Sequence, residues 1–152
     1  MDSERFRRLE DKQALQELLV SYAWSCDDRD WTRYRSVFTE EATIDYTGAF
    51  GQSGTRDQIA AWIEGLMSGP ELEHTQHMLS NFDVIVDGDC AAGRVNYLNP
   101  DVFSRPEGCS LLVNGGIYRF EAVRTDAGWR ISLLIARILW SAKAEILTAP
   151  LG

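Results

Sequence analysis

Apolar residues recur at three- and four-residue steps near the start of the chain: Leu15, Leu18, Leu19, Tyr22, Ala23 and Cys26. That spacing draws one apolar stripe and predicts a helix from about Glu4 to Cys26. Asp27-Asp28-Arg29-Asp30 ends it, and Asp30 is placed to cap a short helix over Trp31–Val37. Ala42 to Tyr46 predicts a short strand. Gly48, Gly51 and Gly54 mark a loop. Thr55-Arg56-Asp57-Gln58 has the form of a capping box and opens a third helix, Arg56 to about Met67, with Ile59, Trp62, Ile63 and Leu66 as its stripe.

The pattern then changes to strands. One is predicted from about Thr75 to Val86, turning at Asp87-Gly88-Asp89, since an Asp-Gly pair is a strong hairpin signal. The next runs from Cys90 to about Leu98, and a loop holding Pro100 and Pro106 follows. A third runs from Ser110 to Arg124, turns at Thr125–Gly128, and leads into a last strand from Trp129 to about Ser141. Helices followed by a long antiparallel meander predict an α+β domain. If the sheet curls, it encloses a pocket between itself and the helices.

Composition narrows the class. At 152 residues and 45% hydrophobic composition, the chain suits one domain spanning 1–152. The formal charge is −8 and Lys/Arg runs are absent, which argues against nucleic acid and against an anionic membrane surface as partners. No apolar stretch approaches the roughly 20 residues that span a bilayer. Met1 to Glu10 is charged and lacks the apolar region of a signal peptide, so a cytoplasmic location is expected. Cys26, Cys90 and Cys109 are odd in number and widely spaced, so three reduced thiols are expected and no zinc site is indicated.

The chain has two histidines. Imidazole is the side chain whose ordinary pKa lies nearest working pH, so the search for a base is short. His77 lies within a predicted strand beside Met78 and Leu79, while His74 lies at its polar start beside Glu73. His77 is the better candidate, against the plain alternative of a core histidine with a satisfied hydrogen bond. Three residues apart on one strand, the two would face opposite sides, which argues against a shared metal. Asp27 stands at a helix C-terminus, where a carboxylate is unfavourable unless it has a specific partner or simply faces water. Asn114 interrupts an apolar run before Gly115-Gly116, and the glycines either make room for a ligand or mark a bulge. Residue chemistry alone offers these candidates and no reaction.

The chain resembles the SnoaL-like branch of the nuclear transport factor 2-like superfamily over nearly its whole length. The resemblance rests on Ser25-Cys26-Asp27-Asp28-Arg29-Asp30-Trp31, Thr43-Ile44-Asp45-Tyr46, Thr75-Gln76-His77, Gly116-Ile117-Tyr118, Gly128-Trp129-Arg130-Ile131 and Ile138-Leu139-Trp140-Ser141, in that order. It implies a half-open cone, with N-terminal helices packed on a curved, mostly antiparallel sheet. The enzyme pattern it is most similar to is that of scytalone dehydratase, whose aspartate, histidine, tyrosine and asparagine fall on Asp27, His77, Tyr46 and Asn114. Hexachlorocyclohexane dehydrochlorinase is similar in its Asp–His pair. There are departures: the dehydratase's first tyrosine is Cys26 here, its second histidine falls near Asn99 or Pro100, and its serine falls on Leu112.

The resemblance implies a cofactor-free dehydratase, isomerase or polyketide cyclase acting on a small, apolar hydroxy-ketone. His77, Asp27 and Tyr46 would be catalytic. Asn114 would orient the substrate, with Trp24, Phe50, Trp62, Met78 and Leu112 as pocket walls. Cys26 is a weak candidate nucleophile, since no second histidine is available to activate it. A non-catalytic partner subunit and a binder of small aromatic ligands are the alternatives in other classes. A homodimer through the sheet is also implied. Ile131–Ala136 either contributes to that interface or faces the helices, and the tail from Ala144 to Gly152 is a candidate cover for the pocket mouth.

Overall fold

The fold starts from a helix that carries its apolar stripe on one side only. In the computed structural model, which describes residues 2–146, α1 spans Asp2–Asp27. Its first turns are exposed, and the buried stripe begins at Asp11 and runs through Leu15, Leu19, Tyr22 and Cys26. α2 (Trp31–Ser36) opens on the Asp30 cap, whose Oδ1 accepts the Arg33 N–H at 2.9 Å. α3 (Arg56–Met67) opens on the expected capping box, with the Thr55 and Gln58 side chains each accepting the other's backbone N–H. Both starts satisfy backbone donors that a helix otherwise leaves unpaired. None of the described helices is long and apolar enough to cross a membrane.

Among the described residues, seven strands form one sheet: β1 (Phe38–Gly48), β2 (Ser53–Thr55), β3 (Leu72–Thr75), β4 (Met78–Asp87), β5 (Cys90–Arg105), β6 (Gly108–Thr125) and β7 (Gly128–Ile146). Their order is β2-β1-β7-β6-β5-β3, and β4 also pairs with β5. All pairings are antiparallel except β1 with β7, which are parallel. The strongly curled sheet forms a half-barrel around the helices, the α+β cone expected from the sequence. The core between them holds Leu15, Leu19, Tyr22, Ile44, Val95, Phe120, Ile131 and Leu134.

Two boundaries differ from the sequence reading, and both shape the pocket. The strand expected over Thr75–Val86 is broken at Gln76-His77, separating β3 from β4. The strand expected to stop near Leu98 continues through Pro100 to Arg105. The two departures have one cause. The Pro100 carbonyl accepts the Gln76 N–H at 3.1 Å, and a strand residue's C=O and N–H face the same neighbour. The N–H that proline lacks would therefore point at the break, where no ladder partner waits.

The last strand serves both faces. Ile131, Leu134 and Ala136 are buried inward, whereas Leu133 and Ile135 are half-buried on the outer face. Ala144–Ile146 belong to β7, and the remainder of the proposed C-terminal cover lies outside the described residues.

Candidate active site

Asp27 is the last residue of α1, and His77 occupies the break between β3 and β4. Because it stands outside the ladder, the His77 backbone N–H is free, and it donates to Asp27 Oδ2 at 2.9 Å. Asp27 Oδ1 lies 2.6 Å from His77 Nδ1. One carboxylate thus holds both the main chain and the ring of the histidine. These contacts offset the unfavourable position of a carboxylate against the helix dipole. Both side chains are nearly buried, at 11% and 12% exposure. Arg29, in the left-handed turn after α1 (φ 56°), braces the arrangement by donating to the Leu72 carbonyl at 2.6 Å. With Nδ1 turned to Asp27, Nε2 is the nitrogen left to act on a ligand; it has no protein partner among the described residues and is not sealed from solvent.

His77 opens onto a cavity of about 350 Å³ between α1, α3 and the curled sheet. Strand alternation builds the far wall, because every second side chain faces inward. Thr75 pairs with Asp101, Asp101 with Leu112, Asn99 with Asn114, Tyr97 with Gly116, and Gly116 with Ile138. Apart from Gly116, each of these lines the cavity. Phe50, Trp62, Ile63, Leu66 and Met67 close the opposite side. The walls are mainly apolar, with a few polar groups converging from different strands, the usual make-up of a small-molecule site.

Tyr46 is buried at the base of this cavity. Its hydroxyl lies 2.7 Å from that of Tyr22 and 3.0 Å from that of Tyr34. Burial, and then the neighbouring phenols, push the Tyr46 and Tyr22 hydroxyls well above the usual tyrosine range. They stay neutral and are therefore hydrogen-bond donors. Tyr118 packs edge-on against Tyr22 and is stacked on Tyr97, with ring centroids 4.3 Å apart. Burial raises the Tyr97 phenol to about 12.

The candidates from sequence do not all converge. Tyr46, His77, Phe50, Trp62, Leu112 and Asn114 line the cavity, and Asp27 stands behind His77. Asn114 Oδ1 accepts from the Ser141 hydroxyl at 2.7 Å, and Asn114 Nδ2 has no protein partner among the described residues. Trp24 and Met78 are placed elsewhere. Trp24 is two residues from both Tyr22 and Cys26, about 200° round the helix at 3.6 residues per turn, and is 52% exposed. Met78 alternates outward next to inward-facing Leu79 and is 42% exposed. Gly115 and Gly116 mark a register shift rather than ligand space. The Trp140 ring lies over Gly115, and the Tyr97 ring fills the position of a Gly116 Cβ.

The sequence reading missed Tyr22, Tyr97, Asn99, Asp101 and Tyr118. Tyr97, Asn99, Asp101 and Phe103 alternate at two-residue steps, a strand signal hidden by ending the strand before Pro100. Tyr22 was legible only as part of the helix stripe. Cys26 is no nucleophile: burial first, and the Asp27 charge second, push its thiol up to about 12. Among the described residues, no three His, Cys, Asp or Glu side chains come together as a metal site would need.

Known proteins bear on this geometry. The family described as the SnoaL-like domain matches residues 7–135. An uncharacterized protein of Mycobacterium tuberculosis is 37% identical over 123 residues, covering 81% of this chain and 82% of that one. A hexachlorocyclohexane dehydrochlorinase from Novosphingobium barchaimii superposes with a TM-score of 0.80 at 22% identity, covering 96% of this chain and 99% of its own. A candidate scytalone dehydratase from Novosphingobium aromaticivorans gives a TM-score of 0.77 at 20% identity, covering 95% of each chain. At these identities the two structural likenesses establish the fold alone.

Proposed function

The chain belongs to the SnoaL-like domain family, and from that premise we propose that it is a cofactor-free acid–base enzyme, a dehydratase, isomerase or cyclase. Its substrate is a small, apolar hydroxy-ketone or polyketide-like molecule. The observation that supports this reading is the double contact of Asp27 with His77, which occupies Nδ1 and leaves Nε2 unpaired on a residue that lines the cavity.

The chemistry follows from the geometry. Neutral His77 takes a proton at Nε2 from the carbon beside a ketone. Asp27 holds the proton on Nδ1, fixes the tautomer, and stabilises the imidazolium that forms. Negative charge develops on the ketone oxygen. Tyr46 and Tyr22 are neutral phenols joined at 2.7 Å, with Tyr34 at 3.0 Å from Tyr46, so the two bonds among the three hydroxyls leave one proton to donate to that oxygen. Asn114 Nδ2 orients a second substrate oxygen. The apolar walls set the preference for a compact, largely hydrocarbon skeleton. Names of structural neighbours, one a dehydrochlorinase and one a candidate dehydratase, are in keeping with proton removal followed by loss of a leaving group.

The test is His77→Ala assayed against a panel of small hydroxy-ketones. Loss of a general base lowers kcat/KM by about 10²–10⁴-fold. Full activity with the fold intact refutes the reading.

We propose further that the chain pairs with a second copy through the outer face of the sheet. Ile85 and Trp140 are exposed, and Ile85 lines a shallow depression with Leu133, Ile135 and Arg94. Sedimentation of the intact chain at micromolar concentration tests this, with a dimer expected and a monomer against it.

A further inference from the structure

Among the described residues, Asp101 is the aspartate that lines the cavity, and it takes no part in proton abstraction by His77. We propose that Asp101 is the proton donor to a leaving hydroxyl, so that the reaction at this site is elimination of water. This deepens the proposed function and rests on His77 as the base.

Asp101 lies on β5, paired with Thr75 on one side and Leu112 on the other, and its side chain lines the same cavity as His77. Asn99 Nδ2 donates to Asp101 Oδ1 at 3.1 Å, and is also within reach of Thr75 Oγ1 at 3.1 Å and the Gln76 carbonyl at 3.2 Å. Gln76 precedes His77. One amide therefore ties the carboxyl to the strand break that presents the base, and the two groups share a frame.

Electrostatics agree with that placement. Asp11, Asp57, Asp83 and Asp89 each have an arginine partner, but Asp101 makes no ion pair among the described residues. Burial pushes its carboxyl above the ordinary aspartate value, against the opposing pull of Thr75, of the His77 charge and of Asn99, while the Asp27 charge pushes it up further. His77 and Asp27 are the charged groups that act on it. A carboxylic acid in an apolar cavity holds its proton longer than one in water.

The chemistry gives the acid a use. Halide leaves a carbon without help, whereas hydroxide is a poor leaving group that departs once it is protonated. In the step, the C–H bond breaks and its proton goes to His77 Nε2. The bonding pair becomes the new C=C bond. The C–O bond breaks with its pair on oxygen, which takes the Asp101 proton and leaves as water. The imidazolium then loses a proton and the Asp101 carboxylate regains one, directly or through water. The net change is loss of one water, with no oxidant, reductant or cofactor consumed.

The experiment uses the aldol of benzaldehyde and acetone, a β-hydroxy ketone, and its O-acetyl ester, whose acetate leaves without a proton. Both give the same conjugated enone, read by its absorbance. Asp101→Asn is expected to lower kcat/KM by about 10²–10⁴-fold on the alcohol but by less than about fivefold on the ester, while His77→Ala lowers both. Equal loss on the two substrates, or no loss, overturns the role of Asp101 and leaves His77 as the base. Wild-type protein inert toward both refutes the ketone-elimination reading itself, and the proposal with it. Should Asp101→Asn fail to fold by circular dichroism, Asp101→Glu replaces it, expected to retain more alcohol activity than Asp101→Ala. Carbon-13 titration of the wild-type carboxyl provides a readout without turnover: a proton lost in the ordinary aspartate range counts against the proposal.

Discussion

Asp27 and His77 are fifty residues apart in sequence and meet twice, through the histidine's backbone N–H at 2.9 Å and its ring Nδ1 at 2.6 Å. The two bonds need the two oxygens of a carboxylate, both acting as acceptors. Asparagine supplies one acceptor and a donor, so Asp27→Asn must give up one contact. We expect on the order of a 10²–10⁴-fold loss of kcat, by analogy with the cost of the wrong tautomer in a hydrolase triad. Long-range nitrogen-15 correlation spectra should show the His77 ring moving from the Nδ1–H tautomer toward the Nε2–H form. An unchanged tautomer would mean that Asp27 does not orient the ring.

The thiols of Cys90 and Cys26 should differ sharply in reactivity. Cys90 is exposed, whereas Cys26 is buried with its thiol pushed up to about 12. Thiolate is the reactive form. A chromogenic disulfide reagent at neutral pH should label Cys90 quickly and Cys26 only after denaturation. Fast native labelling at Cys26, located by peptide mass, would contradict the packing around the end of α1.

Asp11 anchors α1 to the sheet. Its Oδ1 accepts from Arg124 at 2.7 Å and from Trp129 Nε1 at 3.2 Å. Burial works to raise its pKa, but the bonds from Arg124 and Trp129, with the charges of Arg124 and Arg7, outweigh burial and hold it below the ordinary value. Arg124→Met leaves a buried carboxylate short of a partner and should cost about 1–3 kcal/mol. A depressed carboxyl stabilises the fold fully above the unfolded pKa of about 3.9, and that share is lost as pH falls through the lower folded value. Urea melts should show the gap between wild type and Arg124→Met narrowing in acid.

Gly116 admits the Tyr97 ring to the pocket wall. A Cβ there would stand 2.3 Å from the Arg137 carbonyl oxygen and 2.5 Å from the Tyr97 ring and hydroxyl. The carbonyl belongs to the β7 ladder and cannot yield cheaply. Gly116→Ala should destabilise by roughly 1–3 kcal/mol. Gly65→Ala, in α3 with nothing within 4 Å of its Cβ, should instead stabilise by up to about 1 kcal/mol. Thermal melts of the pair check both signs, and equal effects would argue against the crowding at Gly116.

Local features of the fold were legible because their causes lie within a few residues. The stripe of α1, the Asp30 cap, the capping box at Thr55 and the Asp87-Gly88 turn, with Gly88 at φ 59°, each follow from neighbouring side chains. What failed was the treatment of Pro100 as a strand end. Proline lacks a donor, but it breaks a strand only where a donor is needed, and that depends on the neighbouring strand. The parallel pairing of β1 with β7 and the short β2 inside the glycine loop were hidden for the same reason.

The candidate site divides along the same line. Sequence by itself determined the periodicities, the caps, the scarcity of imidazole and, through resemblance, the positions of Asp27, Tyr46, His77 and Asn114. It did not determine which aromatics face inward, and Trp24 and Met78 face out. The tertiary structure alone decided that the break before β4 frees a backbone N–H for Asp27, that the Tyr22 hydroxyl meets Tyr46, and that Asp101 shares a cavity with His77. The physical reason is the curl of the sheet. Residues set far apart along the chain become neighbours when strands bend round the helices, and the direction of each side chain is then fixed by register and by bulges, which arise from pairing between strands rather than from any one of them.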